Sequence, residues 1–122
     1  MVKATYGHGT HNDFVLVFDE SDELKFSQEQ IKRICDRKTG VGSDGFIKIV
    51  KKEGSWFMDY SNADGSQAEM CGNGIRVMAR YLFEFTSTII SPGICETWPI
   101  FTEMSPCSGT AKNFFPSLVL IA

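Results

Sequence analysis

The sequence predicts a mixed α/β domain of the α+β kind, with mainly antiparallel pairing in its sheet. Three observations lead there: β-branched and aromatic runs of strand character, two stretches of helical periodicity, and turn-forming segments between them. In order they read β-β-α-β-β-(β)-α, which is not the strict alternation of a parallel α/β protein.

"VKAT" is a short strand leading into the glycine-rich turn "GHGTHN". "DFVLVF", residues 13 to 18, is β-branched and aromatic and reads as a buried strand, followed by the solvated loop "DESDE". Ser27 starts a helix, and Gln30 three residues on completes a capping-box pattern. Ile31, Ile34 and Cys35 form its apolar stripe, and Gly40 lies past its end. "FIKIV" and "SWFMDYS" alternate on either side of "KKEG", a hairpin signal, and "NADGS" is a second turn with the Asp-Gly pair of tight hairpins. Ile75, Met78, Ala79 and Leu82 recur at helical spacing, predicting a second helix from 74 to about 84.

A length of 122 residues fits one domain, and 43% hydrophobic with 22% charged residues is an ordinary globular composition. A net charge of −3 provides no basic field for nucleic acid. No apolar run approaches the roughly 18 residues of a membrane span. "MVKATYGHGT" lacks the apolar core of a secretion signal, so the expected location is cytoplasmic. There Cys35, Cys71, Cys95 and Cys107 are expected to be reduced, and their spacings of 36, 24 and 12 do not suit a zinc site. The chain changes character near residue 84. Beyond 83 only Glu84, Glu96, Glu103 and Lys112 are charged, and neither helical nor strand periodicity is sustained. This tail is nevertheless too apolar for a typical disordered segment.

Chemistry concentrates in "NADGSQAEMCGNG". Cys71 sits between glycine-rich turns at the start of a helix, where unpaired N–H groups and the helix dipole favour thiolate over thiol. The amides of Gly72, Asn73 and Gly74 can cradle a carboxylate or phosphate, because glycine lets the ligand approach the backbone. The alternative is an inert buried cysteine at a helix start. Asn12, in "GHGTHNDF", presents an amide able to hold an amino-acid carboxylate or ammonium, or simply forms a turn; Asn62 admits the same two readings. His8 and His11 have H-x-x-H spacing but no third ligand, so no metal is expected. "GVGSDG" matches G-x-G-x-x-G, but with a helix before it and a strand after it, the reverse of a dinucleotide site.

Together "GHGTHNDFVLV", "CDRKTGVGSDGF" and "WFMDYSNADGSQAEMCGNGIRVMARYL" resemble the N-terminal half of the diaminopimelate epimerase family over about residues 3 to 83. The resemblance implies one of two pseudo-symmetric domains, each a sheet wrapped around a central helix. It also implies a cofactor-independent (PLP-free) isomerase that interconverts LL- and meso-diaminopimelate, for lysine and peptidoglycan precursors, by proton transfer between two cysteines. By this resemblance Cys71 is the thiolate that removes the α-proton, Asn12 and Asn62 hold the substrate, and Gly72 and Asn73 bind the α-carboxylate of the reacting centre. The expected alternatives are a non-catalytic binding remnant and an isomerase of the same fold acting on another amino acid.

The sequence departs from the family at His11, where many members have glycine, and at Gly45, where some have a glutamine that touches substrate. The family's second domain, with its second cysteine, is not matched by residues 84 to 122. Cys107, in "PCSGTA", lacks the preceding Glu-Arg motif and is not assigned that role. The expected organisation is therefore an incomplete epimerase-like domain over 1–83 and a divergent tail over 84–122. A frame shift or a mis-joined gene model would produce such a tail. The expected partner is the small molecule alone, without nucleic acid or membrane. An uncovered apolar face is expected to favour aggregation or a homodimer.

Overall fold

The computed structural model describes residues 2–85 and 117–121, so Cys95 and Cys107 lie outside the described residues. The elements are β1 (Val2–Gly9), β2 (Asn12–Phe18), α1 (Gln28–Cys35), β3 (Gly45–Lys52), β4 (Ser55–Asn62), β5 (Gln67–Ala68), α2 (Gly72–Phe85) and β6 (Ser117–Ile121). They build one sheet in the order β5-β4-β3-β2-β1-β6. Four of its pairings are antiparallel, and β2–β3 alone is parallel because α1 carries the chain across between them. This is the mixed, mainly antiparallel sheet that the sequence predicts.

β2 is buried on both faces, and its alternation divides the core in two. Val15 and Val17 pack with Ala4, Phe46, Ile31 and Cys35 under α1. Phe14 and Leu16 pack with Ile47, Ile49, Tyr60, Val77 and Leu82 under α2. Each fully buried aliphatic or aromatic side chain contributes about 1.5–3 kcal/mol relative to exposure. α2 touches β1, β2, β3 and β4, so the sheet is arranged around this helix.

Several local readings hold. Ser27 caps α1 through the Gln30 amide at 3.2 Å, and Gln30 Oε1 accepts from the Ser27 amide at 2.8 Å. Losing the Ser27 hydroxyl costs about 1 kcal/mol. The β3–β4 hairpin turns on Glu53 and Gly54, both with positive φ (51° and 80°), as a two-residue primed turn requires.

Other readings need correction. β1 runs to Gly9 rather than stopping at Thr5, and the turn is only Thr10–His11, both with positive φ (53° and 66°). The segment's glycines lie in the strand ladder, with Gly7 opposite Phe14 and Gly9 opposite Asn12. "DESDE" is not simply solvated. Asp19 is buried and accepts from the Glu23 and Leu24 amides at 3.1 and 2.8 Å. Asp22 pairs with the buried Lys48 at 2.6 Å, since an ammonium under the sheet needs a counter-charge. α2 begins at Gly72, two residues earlier than predicted, and its buried face is Gly74, Val77 and Leu82 with Met78 and Tyr81 alongside. Ile75, predicted to lie inward, is 39% exposed, and Phe83 near the end of the helix is exposed as well. Gly74, without a side chain, lets the start of the helix settle on Ile47 and Met58.

Candidate functional site

The predicted site residues come from three segments that register places at one end of the sheet. Asn12 opens β2, Asn62 closes β4, and Gly45, which opens β3, pairs with both Phe14 and Asn62. The start of α2 lies over the same end, since a side chain on Gly9 would meet the Asn73 carbonyl oxygen and Val77.

Cys71 is the N-cap of α2. Its carbonyl accepts the first helical bond, from the Ile75 amide at 2.9 Å. Its sulfur accepts from the Gly74 amide at 3.4 Å, the place an N-cap oxygen would take. The thiol is half-buried and packs against the cluster that contains Tyr60. Gly72 and Asn73 follow in the first turn, where amides have no intrahelical acceptor. The Asn73 side chain is held from outside the helix: its Oδ1 accepts from the Thr10 hydroxyl at 3.2 Å.

Asn62 is fixed at both ends of its amide. Oδ1 accepts from the Tyr60 hydroxyl at 3.0 Å, and Nδ2 donates to Ser66 Oγ at 3.1 Å. Ser66 is itself held by Asp64 Oδ1, and the Asn62 backbone donates to the Ser66 carbonyl across the "NADGS" turn at 2.9 Å. Burial, and after it the sulfur of Cys71, push the Tyr60 phenol above its ordinary value. Asn12 is brought to this end by strand register, beside Gly9.

Beneath Asn12 lies a clasp. The buried Asp13 accepts from Arg37 Nη1 and Nη2 at 3.1 and 2.9 Å, from the Tyr6 hydroxyl at 2.5 Å, and from the Asp44 amide at 2.8 Å. Burial opposes ionisation of Asp13, but these donors outweigh it and hold its carboxyl well below the usual carboxylate range. The clasp ties the start of β2 to the loop that leads into β3.

Sequence reasoning missed Thr10, Tyr60 and Ser66. Tyr60 had a signal: it shares a face with Met58 in the alternating strand, and a buried phenol needs a partner for its hydroxyl. Thr10 reaches Asn73 from 63 residues away and Ser66 acts across a turn, and neither carries such a signal. Cys35 is on the opposite face, accepting from Ser43 Oγ at 3.3 Å, and burial pushes its thiol up. His8 and His11 stack with ring centroids 6.1 Å apart. A cavity of about 300 Å³ on the α1 face, between Phe26, Lys48 and Asp59, includes none of the predicted site residues.

Fold and geometry define a class: a mixed α/β domain with a thiol that caps a helix at one end of its sheet. The profile of diaminopimelate epimerase matches residues 4–88, and the chain belongs to the diaminopimelate epimerase family. It is 49% identical over 86 residues to the diaminopimelate epimerase of Corynebacterium glutamicum strain R, covering 63% of this chain and 31% of that protein. The Thermobifida fusca enzyme of the same name is 46% identical over 93 residues, with 64% and 34% covered. That of Streptomyces coelicolor is 48% identical over 87 residues, with 62% and 30% covered. The chain thus spans about a third of the length of the curated relatives it matches.

Proposed function

We propose that this chain supplies the Cys71 half of a cofactor-independent diaminopimelate epimerase site. The observation that carries the reading is Cys71 at the N-cap of α2, with its sulfur on the Gly74 amide and the Gly72 and Asn73 amides beside it. In this reading the thiolate takes the α-hydrogen as a proton, forming S–H and leaving the electron pair on the α-carbon. That pair delocalises into the neighbouring carboxylate, whose growing charge is met by the first-turn amides of α2. Asn62, and Asn12 across the sheet end, hold the amino acid. Inversion then requires a second acid to protonate the opposite face. Among the described residues Cys71 is the one accessible thiol, because Cys35 is buried on the other side of the sheet. The described part alone would therefore exchange the α-hydrogen without inverting the centre.

Calorimetric titration with diaminopimelate tests the binding half of this reading. Millimolar or tighter binding is expected, and Asn12→Ala or Asn62→Ala should each weaken it about tenfold, as expected for a lost hydrogen bond to a charged group. Absence of binding by the folded, unmutated chain would overturn the reading.

A further inference from the structure

Gly65, in the "NADGS" turn, has a positive φ of 82° and lies against the start of α1, where a Cβ would collide with the Gln28 carbonyl oxygen and Cγ. The turn is thus wedged between β4 and the helix, and it carries Asp64 and Ser66 in a fixed relation. Asp64 Oδ1 accepts from the Ser66 hydroxyl at 2.5 Å and from the Ser66 amide at 2.8 Å. The hydroxyl, and after it the amide, hold the Asp64 carboxyl below its ordinary value. A carboxylate only accepts hydrogen bonds, and a serine hydroxyl has one hydrogen to give. With that hydrogen on Asp64, Ser66 Oγ can only accept from Asn62, so the amide atom 3.1 Å away has to be the donor Nδ2. Oδ1 is left for the Tyr60 hydroxyl at 3.0 Å. Which edge of the Asn62 amide carries oxygen is therefore decided at Asp64 and passed on through Ser66. These bonds leave one Nδ2 hydrogen and one Oδ1 lone pair, the donor and acceptor that a carboxylate and an ammonium need.

We propose that Ser66 is a positioning residue of this site, its Oγ, oriented by Asp64, fixing the Asn62 amide so that substrate meets donor and acceptor in one arrangement. This rests on the reading of Asn62 as a residue that holds substrate. An unheld asparagine amide turns about χ2 between two roughly equivalent orientations, and each turn exchanges donor for acceptor. Ser66 removes that freedom before substrate arrives.

The first readout needs no substrate. In NMR of the whole chain, the Asn62 Nδ2 hydrogen bound to Ser66 should exchange with solvent about fivefold faster in Ser66→Ala, the effect of one lost neutral hydrogen bond. This variant keeps the amide and carbonyl of residue 66, and with them the bonds to Asp64 and to the Asn62 backbone, so the turn stays closed. Ser66→Thr keeps the hydroxyl and should match the unmutated chain. The second readout is calorimetric titration with diaminopimelate. Ser66→Ala should weaken binding about fivefold, the cost of ordering a side chain that was held beforehand. In the Asn62→Ala background it should add nothing. Equal weakening in both backgrounds would place the effect on the fold rather than on Asn62 and overturn the proposal. So would an unchanged exchange rate in Ser66→Ala, or a threonine variant that behaves like the alanine one. Faster exchange in Ser66→Ala, where the unmutated chain binds no diaminopimelate, would uphold the hold of Ser66 on Asn62 and reject only the substrate.

Discussion

Cys71→Ser is expected to lower exchange of the α-hydrogen of diaminopimelate with solvent by about 10²–10⁴-fold, the usual contribution of a positioned base. Serine is a good N-cap, so its oxygen replaces the sulfur on the Gly74 amide and α2 keeps its start. What it lacks is the sulfur proposed to take the proton. The variant therefore separates the capping that the structure shows for Cys71 from the proton transfer proposed for it. Loss of the α-proton signal in deuterated water, followed by NMR, measures the rate. Exchange in Cys71→Ser at the unmutated rate would move the base to another residue.

The second large effect is on stability. Asp13→Asn should cost about 2–3 kcal/mol, because donors from Arg37, Tyr6 and the Asp44 amide lose a charged acceptor in a buried place. Urea unfolding checks it, and a change under about 0.5 kcal/mol would show the clasp to be incidental. The sign of its pH dependence follows from the two shifts. Asp13 is held low, so its contribution is complete above the unfolded value near 4 and is lost as pH falls toward the folded one. The Tyr6 phenol is pushed up to about 12, chiefly by its bond to Asp13. Its contribution is complete below the unfolded value near 10 and is lost as pH rises through about 12. Tyr6→Phe should remove that alkaline loss and weaken the acid limb without abolishing it, since Arg37 and the Asp44 amide still hold Asp13.

What could be read from the sequence was local. The Ser27–Gln30 box, the Glu53–Gly54 hairpin and the Asp64–Gly65 turn each depend on residues a few positions apart, so the chemistry is visible in the string. The parallel β2–β3 pairing was not visible, because it depends on α1 returning the chain to the same sheet end. The inward face of α2 was read correctly at Leu82 and Met78 but not at its start, where Ile75 is exposed. Ile75 is the more apolar residue, but it is the glycine at 74 that lies against Ile47 and Met58. Within the site, Cys71 and its glycines were legible as a helix start. The residues that hold the amides, Thr10 on Asn73 and Tyr60 with Ser66 on Asn62, were not: Thr10 meets Asn73 only when the β1–β2 turn lies against the start of α2, Ser66 reaches Asn62 across a turn, and Tyr60 reaches it two residues along the same strand. The clasp around Asp13 was missed likewise: Tyr6, Arg37 and Asp44 meet only after β1, α1 and β3 are in place.

The central claim is that the described residues hold one half of a two-thiol site. Incubating the purified chain with LL-diaminopimelate in deuterated water, and resolving the stereoisomers afterwards, tests it most directly. The account predicts deuterium at the α-carbon with LL configuration retained, and no exchange in Cys71→Ala. Conversion to the meso isomer by the unmutated chain, abolished by Cys71→Ala, would contradict it.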